Sequence, residues 1–335
     1  MENLAAIYQK QGQWKEAEAL QLVVMNIRNH ALGENHPRTI ISMANLAAIY
    51  THQGQWKEAE ALQEMVMDKT TDALGKDHSD TIQSMANIAA TYMYHGRWNE
   101  AEALQKVVMD KKNNALAENH PDALESMATL AVTHCGQGKW KEAKELLEVV
   151  VAQRKHILGE EHPDTLTSIK DLAVTYCNQK KWEKAEPLEV MVMNNRKHTL
   201  GEDHPDTLES MKNLAAIYCE QGRWKEGEAL QEVVVAHKKH ALGEVHPDTL
   251  KSIEDLAATY CKQGQWKKAE ALQVIVMDKR MHALGDKDPD TLSSMANLQA
   301  IYINQGRLKE AASLQNRNHY FQSDQKNSNM CLTSF

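Results

Sequence analysis

The sequence is poor in the residues that mark several protein classes. It has 2 phenylalanines, 5 cysteines, 7 prolines and 15 glycines in 335 residues. So little glycine and proline excludes a collagen-like or low-complexity polymer. No stretch approaches the roughly 18 to 20 apolar residues of a membrane-spanning helix. No basic-then-apolar opening reads as a secretory signal. Acidic residues outnumber basic ones, 46 to 38, which argues against a general nucleic-acid binder and its basic face. There is no Gly-x-Ser-x-Gly, no phosphate-binding glycine loop and no His-Glu-x-x-His. What remains is 42% hydrophobic, enough to bury a core and to exclude wholesale disorder.

Seven tryptophans organise the chain. They fall at Trp14, Trp56, Trp98, Trp140, Trp182, Trp224 and Trp266, always 42 residues apart, and an eighth step lands on Leu308. Length alone suggests two domains, but a fixed period of this size replaces that prior with a repeat protein. Tyr8, Tyr50, Tyr92, Tyr176, Tyr218, Tyr260 and Tyr302 keep the same register, with His134 as the exception. So do Gly12, Gly54, Gly96, Gly138, Gly222, Gly264 and Gly306, with Lys180 as the exception. Pro37, Pro121, Pro163, Pro205, Pro247 and Pro289 open a segment in each repeat, with Ser79 in the odd one. Residues that recur meet a constraint common to all units; residues that vary are free or specific to one.

One unit reads as two helices. From Pro205, residues Leu208, Met211, Leu214, Ala215 and Tyr218 recur at three- and four-residue steps, the stripe of a half-buried helix. Proline suits the first turn, and His204 or Asp206 is placed to cap it. Gly222 then supplies a left-handed C-terminal turn. A second helix runs from Trp224 to about Ala241, with Ala229, Leu230, Val233 and Val234 as its expected apolar stripe. Glutamates near its start and His237, Lys238 and Lys239 near its end complement the macrodipole. A continuous coiled coil is excluded, because a glycine turn and a Gly-x-x-His-Pro link interrupt nearly every period. The expected fold is all-α, a right-handed superhelical solenoid of about eight antiparallel helix pairs. The units are 1–33, 34–75, 76–117, 118–159, 160–201, 202–243, 244–285 and 286–317, followed by a polar tail over 318–335 expected to be disordered.

Asn213-Leu214-Ala215-Ala216-Ile217-Tyr218, then Gln221-Gly222-Arg223-Trp224 and Glu226, resembles the tetratricopeptide repeat signature. Gly227 departs from the family's small alanine, which Ala59, Ala101, Ala143, Ala185 and Ala269 keep. The 42-residue period and the Leu-Gly-Glu-x-His-Pro-Asp-Thr link resemble the longer variant of kinesin light chains and nephrocystin-like proteins. The resemblance covers residues 1 to about 315. It implies a cytoplasmic scaffold that binds extended or helical peptides along a concave groove lined by the first helices. Similar arrays follow signalling NTPase domains, so a sensor arm whose NTPase lies upstream is the alternative expectation. The first residues align inside a first helix, which motivates that alternative.

Several features have a bland and a sharp reading. His36, His78, His120, His162, His204 and His246 form one register. One histidine per repeat makes a row rather than the convergent cluster that zinc needs, so they read as link and cap residues. Cys135, Cys177, Cys219 and Cys261 are also 42 apart, too far for disulfides between neighbouring helices. They read as small groove-facing thiols of a reducing compartment, with Cys331 incidental. Lys111-Lys112, Arg154-Lys155, Arg196-Lys197, Lys238-Lys239 and Lys279-Arg280 read as dipole complementarity and solvation rather than a nucleic-acid stripe. The tryptophans read as interhelical packing. Lys180 in the glycine position, Pro187 inside a second helix, and His134 with Gly136 predict a less stable stretch over 134–190. No arrangement predicts an enzyme, a metal or a cofactor.

The helical wheel puts the inner face opposite the core stripe. The second to fourth first-helices then offer Ile41, Asn45, His52, Gln83, Asn87, Tyr94, Glu125 and Thr129. The fifth to seventh offer Thr167, Lys170, Asp171, Glu209, Lys212, Asn213, Glu220, Lys251, Glu254, Asp255 and Lys262. The face is nearly neutral early and densely charged, with mixed signs, later. Asn45, Asn87 and Asn213 share a register in which a side-chain amide serves either a peptide backbone or a helix–helix bond; both readings stand. Lys170 and Lys212 are placed to clamp an acidic group, blunted by Glu209 and Glu220. The expected partner is a protein or peptide in the groove, with no nucleic acid and no membrane insertion.

Overall fold

The computed structural model describes residues 1–115 and 120–315, so the expected tail over 318–335, Cys331 and part of the link after the sixth helix lie outside the described residues. The described residues contain helices and turns, and no strand. The helices are α1 (Glu2–Lys10), α2 (Trp14–Leu32), α3 (Pro37–Gln53), α4 (Trp56–Leu74), α5 (Ser79–Tyr94), α6 (Trp98–Ala115), α7 (Pro121–Gly136), α8 (Trp140–Leu158) and α9 (Pro163–Asn178). They continue as α10 (Trp182–Leu200), α11 (Pro205–Glu220), α12 (Trp224–Leu242), α13 (Pro247–Lys262), α14 (Trp266–Leu284) and α15 (Pro289–Asn304). A last helix, α16, begins at Leu308 and is described to residue 315. Every described tryptophan therefore opens a second helix.

The chain forms two compact units, Met1–Gln179 and Lys180–Phe335. In the first, each of α1 to α8 packs on the helix that follows it, and α3 also touches α5 as α7 touches α9. In the second, each of α10 to α14 packs on the helix that follows it. Each unit is an all-α array of consecutive helix pairs.

The helix entrances are built from the histidine row. His36, His78, His120, His162, His204 and His246 each accept, through Nδ1, the backbone N–H two residues on at 3.2 Å. Asp288 does the same for α15 at 2.9 Å. These bonds satisfy N–H groups that the first turn leaves unpaired. The exits need a left-handed residue. Gly222 takes φ 78°, and Lys180 takes φ 58° in the same register, the one non-glycine residue with positive φ among those described. Helix α10 runs from Trp182 to Leu200 with Pro187 inside it. Pro187 has no N–H, so the Glu183 carbonyl forgoes its intrahelical bond.

The core follows the first-helix stripe as expected: Leu208, Met211, Leu214 and Ala215 are buried. The second-helix stripe differs from the sequence expectation. In α12 the buried residues are Gly227, Gln231, Val234 and Val235, while Ala229 and Val233 are exposed. The expectation followed apolar character and skipped a glutamine. In two copies the glutamine at this place has a partner on the next first helix: Gln21 donates to the Ser42 carbonyl at 3.0 Å and Gln273 to the Ser294 carbonyl at 3.1 Å. Gly227 has its own reason. A Cβ there would stand 2.6 Å from Cys219 Sγ and 3.0 Å from the Ala215 carbonyl oxygen.

Candidate partner-binding face

Three layers of contact set what the first-helix face presents. The first is the turn between the helices of a pair. Arg97 stacks over Tyr92 at 4.3 Å, Arg223 over Tyr218 at 4.1 Å and Arg307 over Tyr302 at 4.3 Å. The same arginines reach back to the preceding second helix: Arg97 to Glu60 at 2.8 Å, Arg223 to Glu186 and Arg307 to Glu270 at 2.7 Å. Gln221 and Gln305 donate to the same glutamates at 2.9 Å. The Arg223 hydrogen bond holds the Glu186 carboxyl below its usual range. Lys106 and Lys139 hold Glu102 well below it.

The second layer was not foreseen. The basic residues that close the second helices do more than complement a dipole. Arg154 and Arg280 are buried. Arg280 donates to the Asp290 carbonyl at 3.1 Å and Ser294 Oγ at 2.7 Å, and pairs with both oxygens of Glu254 at 2.7 and 3.0 Å. Arg28 makes the same set with the Arg38 carbonyl at 3.2 Å, Ser42 Oγ at 2.7 Å and Glu2 at 2.6 Å. Arg154 uses the Asp164 carbonyl at 3.0 Å, Ser168 Oγ at 2.8 Å and Glu125. Arg196 uses the Asp206 carbonyl at 3.1 Å and Ser210 Oγ at 2.9 Å. The solvation reading of Arg154 and Arg280 is therefore corrected: each guanidinium ties the end of a second helix to the first turn of the next. The signal was present in the sequence, as a cation and a serine fourteen residues apart recurring every 42.

The third layer covers the tryptophans. His52 stacks on Trp14 with ring centroids 4.4 Å apart, Tyr94 on Trp56 at 6.4 Å, and the Lys262 ammonium sits 5.6 Å from the Trp224 ring. In the third repeat the covering residue is Gly136, where a Cβ would lie 2.6 Å from the Trp98 ring. The tryptophans pack as expected, and the variable residue thirty-eight positions later lies against each ring described here.

The remaining residues expected on the inner face fall as follows. In the first unit Gln83 is exposed and donates to Asn87 at 2.9 Å, Asn45 and Asn87 are half-buried, and Tyr94 is 65% exposed. Glu125 is exposed and engaged by Arg154. Lys170 and Asp171 are half-buried neighbours, 4.0 Å apart. In the second unit Lys212 pairs with Glu209 at 3.1 Å, Lys251 with Asp255 at 3.3 Å, and Lys262 with Glu220 at 3.6 Å. Glu254, at 9% side-chain exposure, belongs to the Arg280 clamp. Asn213 donates to the buried Glu189 at 3.3 Å, a helix–helix bond. The cysteines are less open than expected. Cys219 is buried with its thiol 3.5 Å from Thr259 Oγ1, Cys135 lies 3.4 Å from Thr175 Oγ1, and burial pushes both thiols up.

Two clefts open on the first helices, one in each unit. A cleft of about 220 Å³ lies between α3, α4 and α5, and one of about 430 Å³ between α13, α14 and α15. The second is lined by Lys262, Trp266 and Asn297 among others. No helix among the described residues is long and apolar enough to cross a membrane.

Fold, period and turn chemistry together define a helical-repeat protein. Comparison with known families agrees: the tetratricopeptide repeat model matches in seven overlapping stretches, 1–69, 43–113, 85–156, 122–198, 171–240, 207–274 and 248–317. The chain belongs to the tetratricopeptide repeat family. A crystal structure of nearly identical TPR-like repeats of a putative kinesin light chain from Podosopora anserina is similar to it. The two share 32% identity over 61% of this chain and 96% of that one, with a TM-score of 0.55. BtubC from P. vanneervenii is similar in fold, at 18% identity, 69% and 92% coverage and a TM-score of 0.59. So is a signal transduction ATPase with a tetratricopeptide repeat sensor from Pyrococcus horikoshii. There the identity is 13%, with 98% of this chain and 48% of that one covered and a TM-score of 0.68. No curated protein matches the chain.

Proposed function

We infer that the protein is a non-catalytic interaction scaffold that holds an extended peptide or partner segment on the first-helix face. The observation that carries the reading is a division of labour among side chains. Residues that repeat are consumed by caps, turns and clamps, as His204, Arg223 and Arg280 are. Residues that vary from copy to copy stand exposed at one register of the first helices: Ile41 and Gln83 in one unit, Glu209 and Lys251 in the other. A surface that changes while its support stays constant suits recognition of a partner's side-chain sequence. Likeness to the putative kinesin light chain repeats supports an adaptor of that kind, acting in the cytoplasm.

A peptide-display selection on the full chain tests this. Binders should emerge and should weaken at least tenfold with Gln83→Ala or Lys212→Glu. Their absence, or indifference to both substitutions, removes the reading. The second reading, a sensor arm joined to a signalling NTPase, has the fold likeness to the P. horikoshii protein in its support. Sequencing the gene upstream of Met1 for a phosphate-binding loop decides it.

A further inference from the structure

One of the guanidinium sites described above has lost its guanidinium. The clamp register reads Arg28, Thr70, Lys112, Arg154, Arg196, Lys238 and Arg280, a cation in six copies and a threonine in the second. Its two constant acceptors are a backbone carbonyl ten residues on and a serine hydroxyl fourteen residues on. In the second repeat these are the Asp80 carbonyl and Ser84 Oγ, and both are still present. Thr70, Asp80, Gln83 and Ser84 are among the residues that line the cleft of about 220 Å³ between α3, α4 and α5.

We propose that this cleft binds an arginine side chain of the partner. The geometry of recognition is written elsewhere in the same chain: four arginines hold the equivalent carbonyl at 3.0 to 3.2 Å and the equivalent hydroxyl at 2.7 to 2.9 Å. In each of the four a single nitrogen, Nη1, donates to both acceptors, and in Arg28, Arg154 and Arg280 the second nitrogen, Nη2, is left to reach an acid, a planar pair of donors that a lysine ammonium lacks. Thr70 Oγ1 reaches Ser84 Oγ at 3.1 Å, and Ser84 turns to the Thr81 carbonyl at 2.8 Å. In Ser42, Ser168 and Ser294 the hydroxyl instead bonds the carbonyl four residues back, the one that Arg28, Arg154 and Arg280 share. The Asp80 carbonyl thus lacks the serine hydroxyl that its equivalents accept, and this is the acceptor we assign to a guanidinium from outside. The acids of the other clamps, Glu2, Glu125 and Glu254, correspond here to Ala44, Ile41 and Ala44. Ile41, 53% exposed, also lines the cleft and offers an apolar surface for the methylenes of an incoming side chain, and Asp80, whose carboxylate is exposed, is a lining residue that can serve as counter-ion. The resident arginines enter from their own second helix; here that route is closed by Thr70 and the open side faces solvent.

The proposal deepens the peptide-binding reading and rests on it for the source of the arginine, but the site is tested without a peptide. The test titrates N-acetyl-L-arginine amide into the full chain by amide NMR, with the lysine and norleucine amides as comparators. The arginine amide should give saturable shifts at Asp80, Ser84 and Asn87, several-fold tighter than either comparator. Thr70→Arg should abolish those shifts and raise the melting temperature, because the chain then fills its own site. Ile41→Glu, which restores the acid seen at Glu125, should tighten binding at least threefold. Absence of saturable shifts, equal shifts with norleucine or lysine, or no change in affinity with Ile41→Glu overturns the proposal, even if Thr70→Arg fails to fold. A display selection reads the first-helix face independently, so failure of one reading is distinguishable from failure of the other.

Discussion

Single residues depart from the repeat where the backbone or a ring demands it, and each departure has a measurable consequence. Lys180 occupies a left-handed position at φ 58° that glycine holds in the other copies. Lys180→Gly should stabilise the protein by about 1 kcal/mol in urea denaturation, because glycine takes that conformation without a Cβ penalty. No gain would mean that the lysine side chain offsets the strain. Gly136 is the reverse case. A Cβ would meet the Trp98 ring at 2.6 Å, so Gly136→Ala should lose about 1 to 3 kcal/mol by overpacking, despite alanine's better helix propensity. A more stable variant would show that the ring has room to move. Tyr176 carries a pH signature. Burial and then the 2.8 Å hydrogen bond to Glu148 push its phenol from 10.0 up to about 12. A pKa raised on folding gives stability that is complete below pH 10 and is lost as the pH rises from 10 towards 12. Tyr176→Phe should therefore flatten the alkaline fall of the melting temperature across that window; an unchanged slope contradicts the assignment.

Elements were legible in the sequence wherever apolar spacing or backbone chemistry decided them. Proline after a histidine cap, and glycine two residues before all but one of the tryptophans, place the helix ends almost to the residue. The second-helix face was misread because its inner positions include Gln231, Gln21 and Gln273, and a stripe defined by hydrophobicity passes over them. The arginine clamps escaped for a related reason: a lysine or arginine near a helix C-terminus already has an adequate local explanation, and only the recurring serine reveals the second one. The clamps set a prediction at this scale. Arg280 and Glu254 are both 9% exposed. Breaking the pair on one side, with Arg280→Met or Glu254→Met, should cost about 3 to 5 kcal/mol, because a buried charge is left alone. The double variant should recover most of that loss, since two methionines leave no unpaired charge. Additive losses in the double-mutant cycle would show that the two side chains act independently.

For the molecule as a whole, the repeat was legible from the tryptophans and the local partners were not. Periodicity reports what all copies share, and a recognition surface is built from what they do not share. The stretch over 134–190 gathers several departures: His134 replaces the tyrosine and is buried, with Nε2 3.4 Å from a Glu102 oxygen but no hydrogen bond at either ring nitrogen, Lys180 has positive φ, and Pro187 interrupts the bonding of α10. Amide exchange there should be faster than over 37–74 or 247–284, in keeping with local opening where support is missing. Uniform exchange would contradict it. The central claim is that partners lie on the first-helix face. A photo-crosslinking residue at Gln83 or Lys251, both exposed on that face, can be compared with one at Val149 or Val233, exposed on second helices. With a display-selected peptide bound to the full chain, crosslinks should form from Gln83 or Lys251 and not from Val149 or Val233; crosslinking from the second-helix positions alone would contradict the account.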